Sequence, residues 1–282
     1  MAIEKFRFKL GRCECIALLD GVTTYAHPHK ELFCNAPRPE LLDTLDPYGV
    51  ERGTMGPIIS PLLCLIVFTN QHVVLIGTGT GALSRSGGKL IHLLREEKVS
   101  LWDIDTVILT HGHYDHIGGV ADAAGKSLYP GARYIMQENE WSFWIEREPS
   151  QGHIGAGVDG VLNSMKKKLE LIRNDIEIVP GIHCILAPGH TPGHMVIELR
   201  SEGDTLLFAS DVFLHLCNLA RPEWYSLYDV EPAAVAPIRR LLLNRVADTD
   251  IRVLAGRFAF PGLGRIITKG NCWSWSPIDR EP

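Results

Sequence analysis

The chain carries its most informative sequence at residues 107–116, which read Val-Ile-Leu-Thr-His-Gly-His-Tyr-Asp-His. An apolar run followed by a glycine turn predicts a buried strand that ends at the turn. Open α/β folds place their sites at the carboxyl ends of strands. Three imidazoles and a carboxylate in this position are ligands that suit zinc, and also iron or manganese. The stretch therefore predicts a metal site at the end of a buried strand.

Two later segments have the same arrangement of an apolar strand, a turn and a polar side chain. The strand Ile182–Leu186 precedes the sequence Pro-Gly-His-Thr-Pro-Gly-His at residues 188–194. The apolar run Leu206–Ala209 precedes Ser210 and Asp211. These segments supply further ligands, which a closed coordination shell requires.

These three motifs together resemble those of the metallo-β-lactamase fold superfamily of metallo-hydrolases. The resemblance extends from about Lys5 to Trp275. It implies an α/β fold, a four-layer αβ/βα sandwich of two mixed β-sheets flanked by helices, with the metal site at one edge between the sheets. Four further segments are similar to a subgroup of methyl-parathion-hydrolase-like and lactonase-like enzymes, and they are Phe6–Gly11, Leu19–Gly21, Arg221–Trp224 and Phe260–Arg265.

Hydrophobic patterning predicts strands in both halves of the chain. The strands expected in the first half are Phe6–Leu10, Glu14–Leu19, Ile58–Phe68, His72–Ile76 and Val107–Leu109. Those expected in the second half are Ile176–Val179, His183–Leu186, Met195–Leu199, Thr205–Ala209 and Arg252–Ala255. Helices are expected at Lys89–Glu97, His116–Ala124, around Trp141–Ile145, at Lys166–Ile172 and at Pro232–Val246.

The chain contains no linker that is rich enough in Pro, Gly and Ser to separate two domains. We therefore predict a single metallo-β-lactamase-like domain over residues 1–282. The glycine-rich stretch Gln151–Gly160 and the predicted helix that follows it indicate a lid or substrate-pocket insertion at about residues 148–175.

Composition restricts the partners and the compartment. The 282 residues are 45% hydrophobic and 22% charged with a net charge of −5, so nothing predicts a nucleic-acid partner. No apolar run approaches the roughly 18–20 residues that span a bilayer, and the N-terminus does not resemble a signal peptide. We expect a cytoplasmic protein with a small-molecule substrate, no membrane partner and reduced cysteines. The sequence is compatible with a homodimer but does not decide the oligomeric state.

The resemblance assigns metal-binding roles to six residues. His111, His113 and His190 would bind a first metal, Asp115 and His116 would bind a second, and Asp211 would bridge the two. The cofactor would be Zn²⁺, one or two ions per chain, with iron or manganese as alternatives. Asp115 is also a candidate catalytic residue, because a carboxylate beside a metal-bound water can orient it or carry its proton. His194 is interpreted as a supporting residue.

The same resemblance implies a metal-dependent hydrolase whose metal-bound hydroxide cleaves a small ester, lactone or organophosphate-like substrate. Lactonases often have a tyrosine shortly after the bridging aspartate, whereas Val212, Phe213 and Leu214 stand here. Two alternatives stay open: a degenerate member that binds metal or ligand with weak or no hydrolysis, and a thioesterase of glyoxalase-II type. The aromatic side chains expected to line the pocket are Trp141, Phe143, Trp144, Phe213, Trp224, Tyr225 and Phe258.

Two residues depart from the family's pattern. Gly77 stands where the family usually has an aspartate that supports the ligand turn, and the loss of such a partner typically costs about 10–100-fold in metal affinity or activity. Arg257 stands where the family has its last histidine ligand. A guanidinium has no lone pair for a cation, and at about 4 Å it would repel a dication by about 8 kcal/mol at an effective dielectric constant near 20.

Three interpretations of Arg257 follow from its charge. The side chain swings away and leaves a weakened dinuclear site, or it replaces the second cation and pairs with Asp211 and Asp115 around one metal. In the third interpretation, both departures mark a protein whose hydrolase activity is impaired. Arg257 is thus a second candidate catalytic residue beside Asp115.

Overall fold

Two mixed β-sheets form the centre of the computed structural model, which describes residues 3–45, 56–146 and 158–278. The strands of the first sheet are β1 (Lys5–Leu10), β2 (Cys13–Tyr25), β3 (Ile58–Phe68), β4 (Val73–Ile76), β5 (Thr106–Ile108), β6 (Arg133–Gln137) and β7 (Leu169–Ile172). Those of the second sheet are β8 (Ile176–Val179), β9 (Ile182–Leu186), β10 (Met195–Ser201), β11 (Asp204–Ser210), β12 (Arg252–Ala255), β13 (Leu263–Lys269) and β14 (Cys272–Pro277).

The strands follow one another across each sheet in chain order, so each sheet comes from one half of the chain. In the first sheet, β1 to β4 pair antiparallel and β4 to β7 pair parallel. In the second sheet only the central pair, β11 with β12, is parallel among the described strands. The predicted site residues follow strands of both sheets: His111, His113, Asp115 and His116 come after β5, His190 after β9, Asp211 after β11 and Arg257 after β12.

Helices cover the outer faces of both sheets. The described helices are α1 (Pro28–Glu31), α2 (Arg38–Leu45), α3 (Leu90–Glu96), α4 (Tyr114–Ile117), α5 (Glu138–Glu146), α6 (Val158–Met165), α7 (Cys217–Ala220) and α8 (Pro232–Val246). Apolar side chains of α3, α5 and α6 pack on the first sheet, and those of α8 pack on the second. A third cluster, drawn from both sheets, fills the space between them. The predicted four-layer sandwich is confirmed.

Several predicted elements differ from the structure. The helix expected at His116–Ala124 is a single turn, α4, followed by a 3₁₀ turn at Gly118–Val120. Gly118 and Gly119 are better suited to a close backbone approach than to a helix interior, because each lies against the chain at Thr78 and Thr80. The helix expected at Lys166–Ile172 is wrong, since the 3₁₀ turn Lys166–Lys168 leads into the edge strand β7.

The single domain and its lid stay predictions. Residues 148–157 of the expected insertion lie outside the described residues, and the remainder contains α6 and β7, which belong to the first sheet and its covering layer. Of the helices in the described ranges, none has the length and apolarity needed to cross a membrane.

A buried carboxylate in β2, that of Asp20, holds the loop that leads to the site. It accepts hydrogen bonds from the backbone N–H groups of Thr80, Gly88 and Leu90 at 2.9 Å and from the Thr80 hydroxyl at 3.0 Å. The loop passes so closely that a Cβ at Gly79, whose φ is +68°, would lie 2.4 Å from the Asp20 Cγ atom. Asp20 therefore fixes the path from β4 to α3.

We expect Asp20→Ala to lower the free energy of unfolding by about 3 kcal/mol, because it leaves several buried donors without an acceptor. Urea unfolding followed by tryptophan fluorescence measures this change. Asp103→Ala, at an exposed position of the same half, is the matched control and should leave the midpoint unchanged. Equal midpoints for both variants would contradict the assigned role of Asp20.

Candidate metal centre

The site lies where segments from both sheets meet at one edge. The turn after β5 provides His111 and His113, the turn after β9 provides His190, and the end of β11 provides Asp211. Two hydrogen bonds join the sheets beside these residues: the Thr110 and Ser210 hydroxyls are 2.9 Å apart, and the Met195 N–H donates to the Thr110 carbonyl at 2.9 Å. The two halves of the chain thus present their polar side chains to a common space.

Three imidazoles converge in a way that fits one metal ion. His113 Nδ1 lies 3.0 Å from His111 Nε2 and 3.0 Å from His190 Nε2. Asp211 Oδ2 lies 3.8 Å from His111 Nε2 and 3.5 Å from His190 Nε2. Ligand nitrogens of a tetrahedral zinc, at bond lengths of 2.0–2.1 Å, are about 3.3 Å apart. These four buried side chains offer the donor set of such a site.

The protonation of this first cluster also suits a metal. Burial, with the neighbouring imidazoles, holds the pKa of His111 and of His113 well below the usual range, so both rings are neutral near pH 7. A neutral imidazole keeps a lone pair for a cation. Burial alone would raise the pKa of Asp211, but the Arg257 charge and His116 outweigh it and hold that pKa well below its usual range.

A second cluster contains the side chains of Asp115, His116 and Asp211, which the resemblance assigns to a second metal. Arg257 occupies the middle of this cluster. Its Nε and Nη2 atoms donate to Asp211 Oδ1 at 2.9 Å and Oδ2 at 2.5 Å, and Nη2 also donates to Asp115 Oδ2 and lies 3.1 Å from His116 Nε2. The guanidinium is therefore turned toward the cluster, in contrast to the interpretation in which it swings away.

A buried glutamate that the sequence analysis did not single out links the two ligand turns. Glu140, in α5, accepts the N–H of Gly112 at 2.7 Å and the N–H of Gly193 at 2.9 Å, as well as the Trp144 indole N–H at 2.7 Å. Both glycines approach α5 too closely for a side chain, since a Cβ at Gly112 would lie 2.2 Å from Trp144 Nε1 and one at Gly193 would lie 2.3 Å from Glu140 N.

Asp229 is a second supporting carboxylate that sequence reasoning missed. His190 Nδ1 lies 2.8 Å from Asp229 Oδ1, and the Ser226 N–H donates to Asp229 Oδ2 at 2.7 Å. A carboxylate that accepts the other ring N–H of a metal-binding histidine fixes its tautomer and its orientation. His190 is thereby left with Nε2 facing His113, as a metal ligand requires.

The other histidines that the structure describes lie outside the two clusters. His194 is buried beside the site, accepts the Asp211 N–H on Nε2 at 3.3 Å, and has a pKa lowered to about 3 by burial. It therefore supports the position of Asp211. His215 is half-buried against Phe33, at 5.6 Å between ring centroids. His72, His92 and His183 lie at partly or fully exposed positions, and His153 is outside the described residues.

A cavity of about 310 Å³ opens onto these side chains. Among the described residues, its walls include His113, Asp115, His190, Asp211 and Arg257, together with tyrosine and leucine side chains. The aromatic walls expected from the sequence are wrong, because those side chains pack into the core clusters or lie elsewhere on the surface; they are Trp141, Phe143, Trp144, Phe213, Trp224, Tyr225 and Phe258. Tyr25, Tyr114 and Tyr228 take their place.

Comparison with known proteins identifies the family. A family model described as the metallo-beta-lactamase superfamily matches residues 61–255, more than half of the chain. The protein belongs to this superfamily.

Individual relatives agree with this assignment. The N-acyl homoserine lactonase AiiA of Bacillus thuringiensis subsp. kurstaki is 24% identical over 177 residues, which cover 55% of this chain and 65% of that protein. The match thus spans just under two thirds of the relative's length. The solved structure of AidC, a dizinc quorum-quenching lactonase, superposes with a TM-score of 0.90 at 25% identity, covering 99% of this chain and 98% of AidC. The hydrolase AbOPH shares the fold, with a TM-score of 0.86 at 23% identity over the full length of both chains.

We expect Glu140→Gln to lower zinc affinity about 10–100-fold. In the unmodified protein each carboxylate oxygen accepts a hydrogen bond from a backbone N–H group, and in the variant the amide NH₂ would face one of these N–H groups instead. Competition with a chromogenic chelator measures the affinity. Glu138→Gln, in the same helix but at a surface ion pair with Arg173, is the matched control and should bind zinc as the unmodified protein does. Unchanged affinity in Glu140→Gln would show that the turns keep their positions without this carboxylate.

Proposed function

We propose that the protein is a metal-dependent hydrolase that opens lactones or cleaves small esters. The observation that carries this proposal is the convergence of His111, His113 and His190 with Asp211 at a cavity. Zinc is the metal that this nitrogen-rich donor set suits best, with iron or manganese as alternatives. The dizinc lactonase AidC, which shares the fold over nearly the whole chain, supports the choice of zinc.

When bound, a divalent metal lowers the pKa of a coordinated water toward about 7 and polarises the substrate carbonyl. The chain's own residues would perform the remaining steps. We assign Asp115, which lines the cavity, as the group that accepts a proton from the attacking water. As the bond between the carbonyl carbon and the leaving oxygen breaks, the same carboxyl returns this proton to the leaving oxygen. A lactone would thus yield a hydroxy acid, with water as the co-reactant.

Hydrogen-bond donors beside the metal ligands would stabilise the oxyanion that forms during attack. Tyr228 and Tyr25 both line the cavity, with their rings 5.7 Å apart. Burial raises the pKa of Tyr228 to about 12, so its hydroxyl keeps the proton that a donor requires. Val212, Phe213 and Leu214 stand where a lactonase often has a tyrosine, and Tyr228, whose hydroxyl donates to Glu31 Oε1 at 3.5 Å, lines the cavity from a different segment.

A lactone is the preferred substrate class within this proposal. The cavity, at about 310 Å³, is at the lower end of the range for small-molecule sites and fits a compact ring better than a polymer. Leu83 and Leu214 lie among its walls and would contact an apolar part of the substrate. The relative named above as an N-acyl homoserine lactonase points to the same class. We further propose a cytoplasmic location.

We expect His190→Ala to reduce kcat/KM by at least about 100-fold, because it removes a proposed metal ligand. The loss of a residue that only supports a ligand typically costs up to about 100-fold. Removal of metal with a chelator should abolish hydrolysis, and added zinc should restore it. Steady-state assays with a lactone and a p-nitrophenyl ester provide the measurement. His92→Ala changes a histidine that is 71% exposed, and it should retain full activity.

The alternative of a binding protein without hydrolysis is favoured by one observation, the guanidinium of Arg257 within the second cluster. A panel of lactones, chromogenic esters and a phosphotriester, assayed with metal added back, separates the two functions. We expect turnover of at least one lactone above that of free metal. Absence of turnover on every member of the panel would reject the hydrolase and favour the binding protein.

A further inference from the structure

We propose that the guanidinium of Arg257 permanently takes the place of a second cation, so that the centre is built for one metal ion. The inference rests on the proposed function only in assuming that the imidazole cluster binds metal. It differs from the dizinc state that the name of the related lactonase AidC gives for that protein. The contacts, the burial and the backbone position of Arg257 all support this role.

The contacts of Arg257 use the same atoms that a second metal would need. Its two hydrogen bonds to Asp211 occupy both oxygens of that carboxylate, and its hydrogen bond to Asp115 occupies Oδ2. His116 Nε2 lies 3.1 Å from Nη2 and 3.3 Å from Asp211 Oδ1, so this imidazole faces the ion pair. Both carboxylates assigned to the second metal therefore already have a cationic partner, and the imidazole lies against them.

The side chain has no simple way to leave. It is only 5% exposed, and its charge is balanced by the two carboxylates it contacts. Its backbone is held as well, because the Arg257 carbonyl accepts the Ser60 hydroxyl at 3.2 Å and the adjacent Phe258 ring packs on Trp275 at 5.0 Å between centroids. Displacing the guanidinium would leave a buried charge without its partners, which is strongly unfavourable.

Gly77, the other departure from the family's pattern, lies on the opposite side of the same histidine. A Cβ at this position would be 4.0 Å from His116 Nδ1 and 3.8 Å from Cys64 Sγ, with nothing nearer. A carboxylate here would be placed to orient His116 toward a metal, and glycine offers none. The two departures thus act on one residue: one removes the support behind His116, and the other fills the space in front of it.

One part of the guanidinium remains available to a ligand. Arg257 Nη1 is buried and makes no hydrogen bond within the described residues, while the side chain forms part of the cavity wall. A second metal ion would bind a substrate oxygen through an open coordination position. Arg257 would instead offer Nη1–H as a hydrogen-bond donor, with its charge and direction fixed by Asp211 and Asp115.

The test is the number of metal ions retained per chain. The unmodified protein is incubated with excess Zn²⁺, freed of unbound metal on a desalting column, and analysed by mass spectrometry for zinc and by amino-acid analysis for protein. We expect one ion per chain. Arg257→His should retain two, and Arg257→His combined with Gly77→Asp should hold the second ion more tightly. Arg265→His, a change at a surface ion pair with Asp250, is the matched control and should retain one.

A second readout does not depend on activity. With Co²⁺ in place of zinc, the unmodified protein should give the electron paramagnetic resonance spectrum of an isolated ion, and Arg257→His should give the weakened signal of a coupled pair. Two tightly held ions in the unmodified protein would overturn the inference, as would one ion in a folded Arg257→His variant. If that variant does not fold, the zinc content of the unmodified protein still decides. One retained ion without hydrolysis of any substrate would reject the proposed function and leave this inference standing.

Discussion

A single buried carboxylate, that of Glu140, sets the distance between the two turns that carry the imidazoles. It accepts hydrogen bonds from the backbone N–H groups of Gly112 and Gly193, which belong to different halves of the chain. Its helix, α5, packs on the first sheet. A hydrogen bond between a charged acceptor and a backbone donor is roughly twice as strong as a neutral one. Only glycine allows these close approaches, so the site requires Gly112 and Gly193 as much as it requires the histidines beside them.

The unusual part of the site is the second cluster, in which Arg257 balances the charge of two carboxylates. The two carboxylates of Asp115 and Asp211 are buried, and buried carboxylates need a cationic partner. Arg257 provides it without any cofactor, which gives the second cluster a stable organisation of its own. In the first cluster, the Nε2 atoms of His111 and His190 instead lie 3.0 Å from His113 Nδ1. The two clusters share Asp211 but differ in their charge, and in our proposal only the first binds a metal.

The parts that could be predicted from sequence are those with a local pattern. His111, His190 and Asp211 each follow an apolar strand, so the residue type and its position at a strand end were both visible. Glu140 and Asp229 lack such a pattern, because an isolated acid in a helix or a loop is usually exposed and only tertiary packing buries it. The contacts of Arg257 could be predicted only because the family resemblance placed this residue at a ligand position and its positive charge suggested carboxylate partners.

The same reasoning explains the errors. The aromatic side chains Trp144, Phe213 and Phe258 were expected at the pocket because large rings suit apolar ligands, yet large rings are also what a sandwich needs to fill its layers. Strands β6 and β13 were missed for a related reason. β13 ends in exposed residues, and β6 has only three consecutive apolar residues after the Pro130-Gly131 turn, so neither has the alternation that identifies a strand.

The separation of the chain into two sequential sheets has a consequence for how this protein tolerates change. Each half supplies part of the donor set, and the apolar layer between the sheets, which includes Val74, Ile108, Ile197 and Phe208, acts as a spacer that sets their separation. Close-packed interiors transmit changes in volume over distance. A methyl group gained or lost in that spacer, far from any polar atom, would therefore tune the geometry of the centre as directly as a change in one of its ligands.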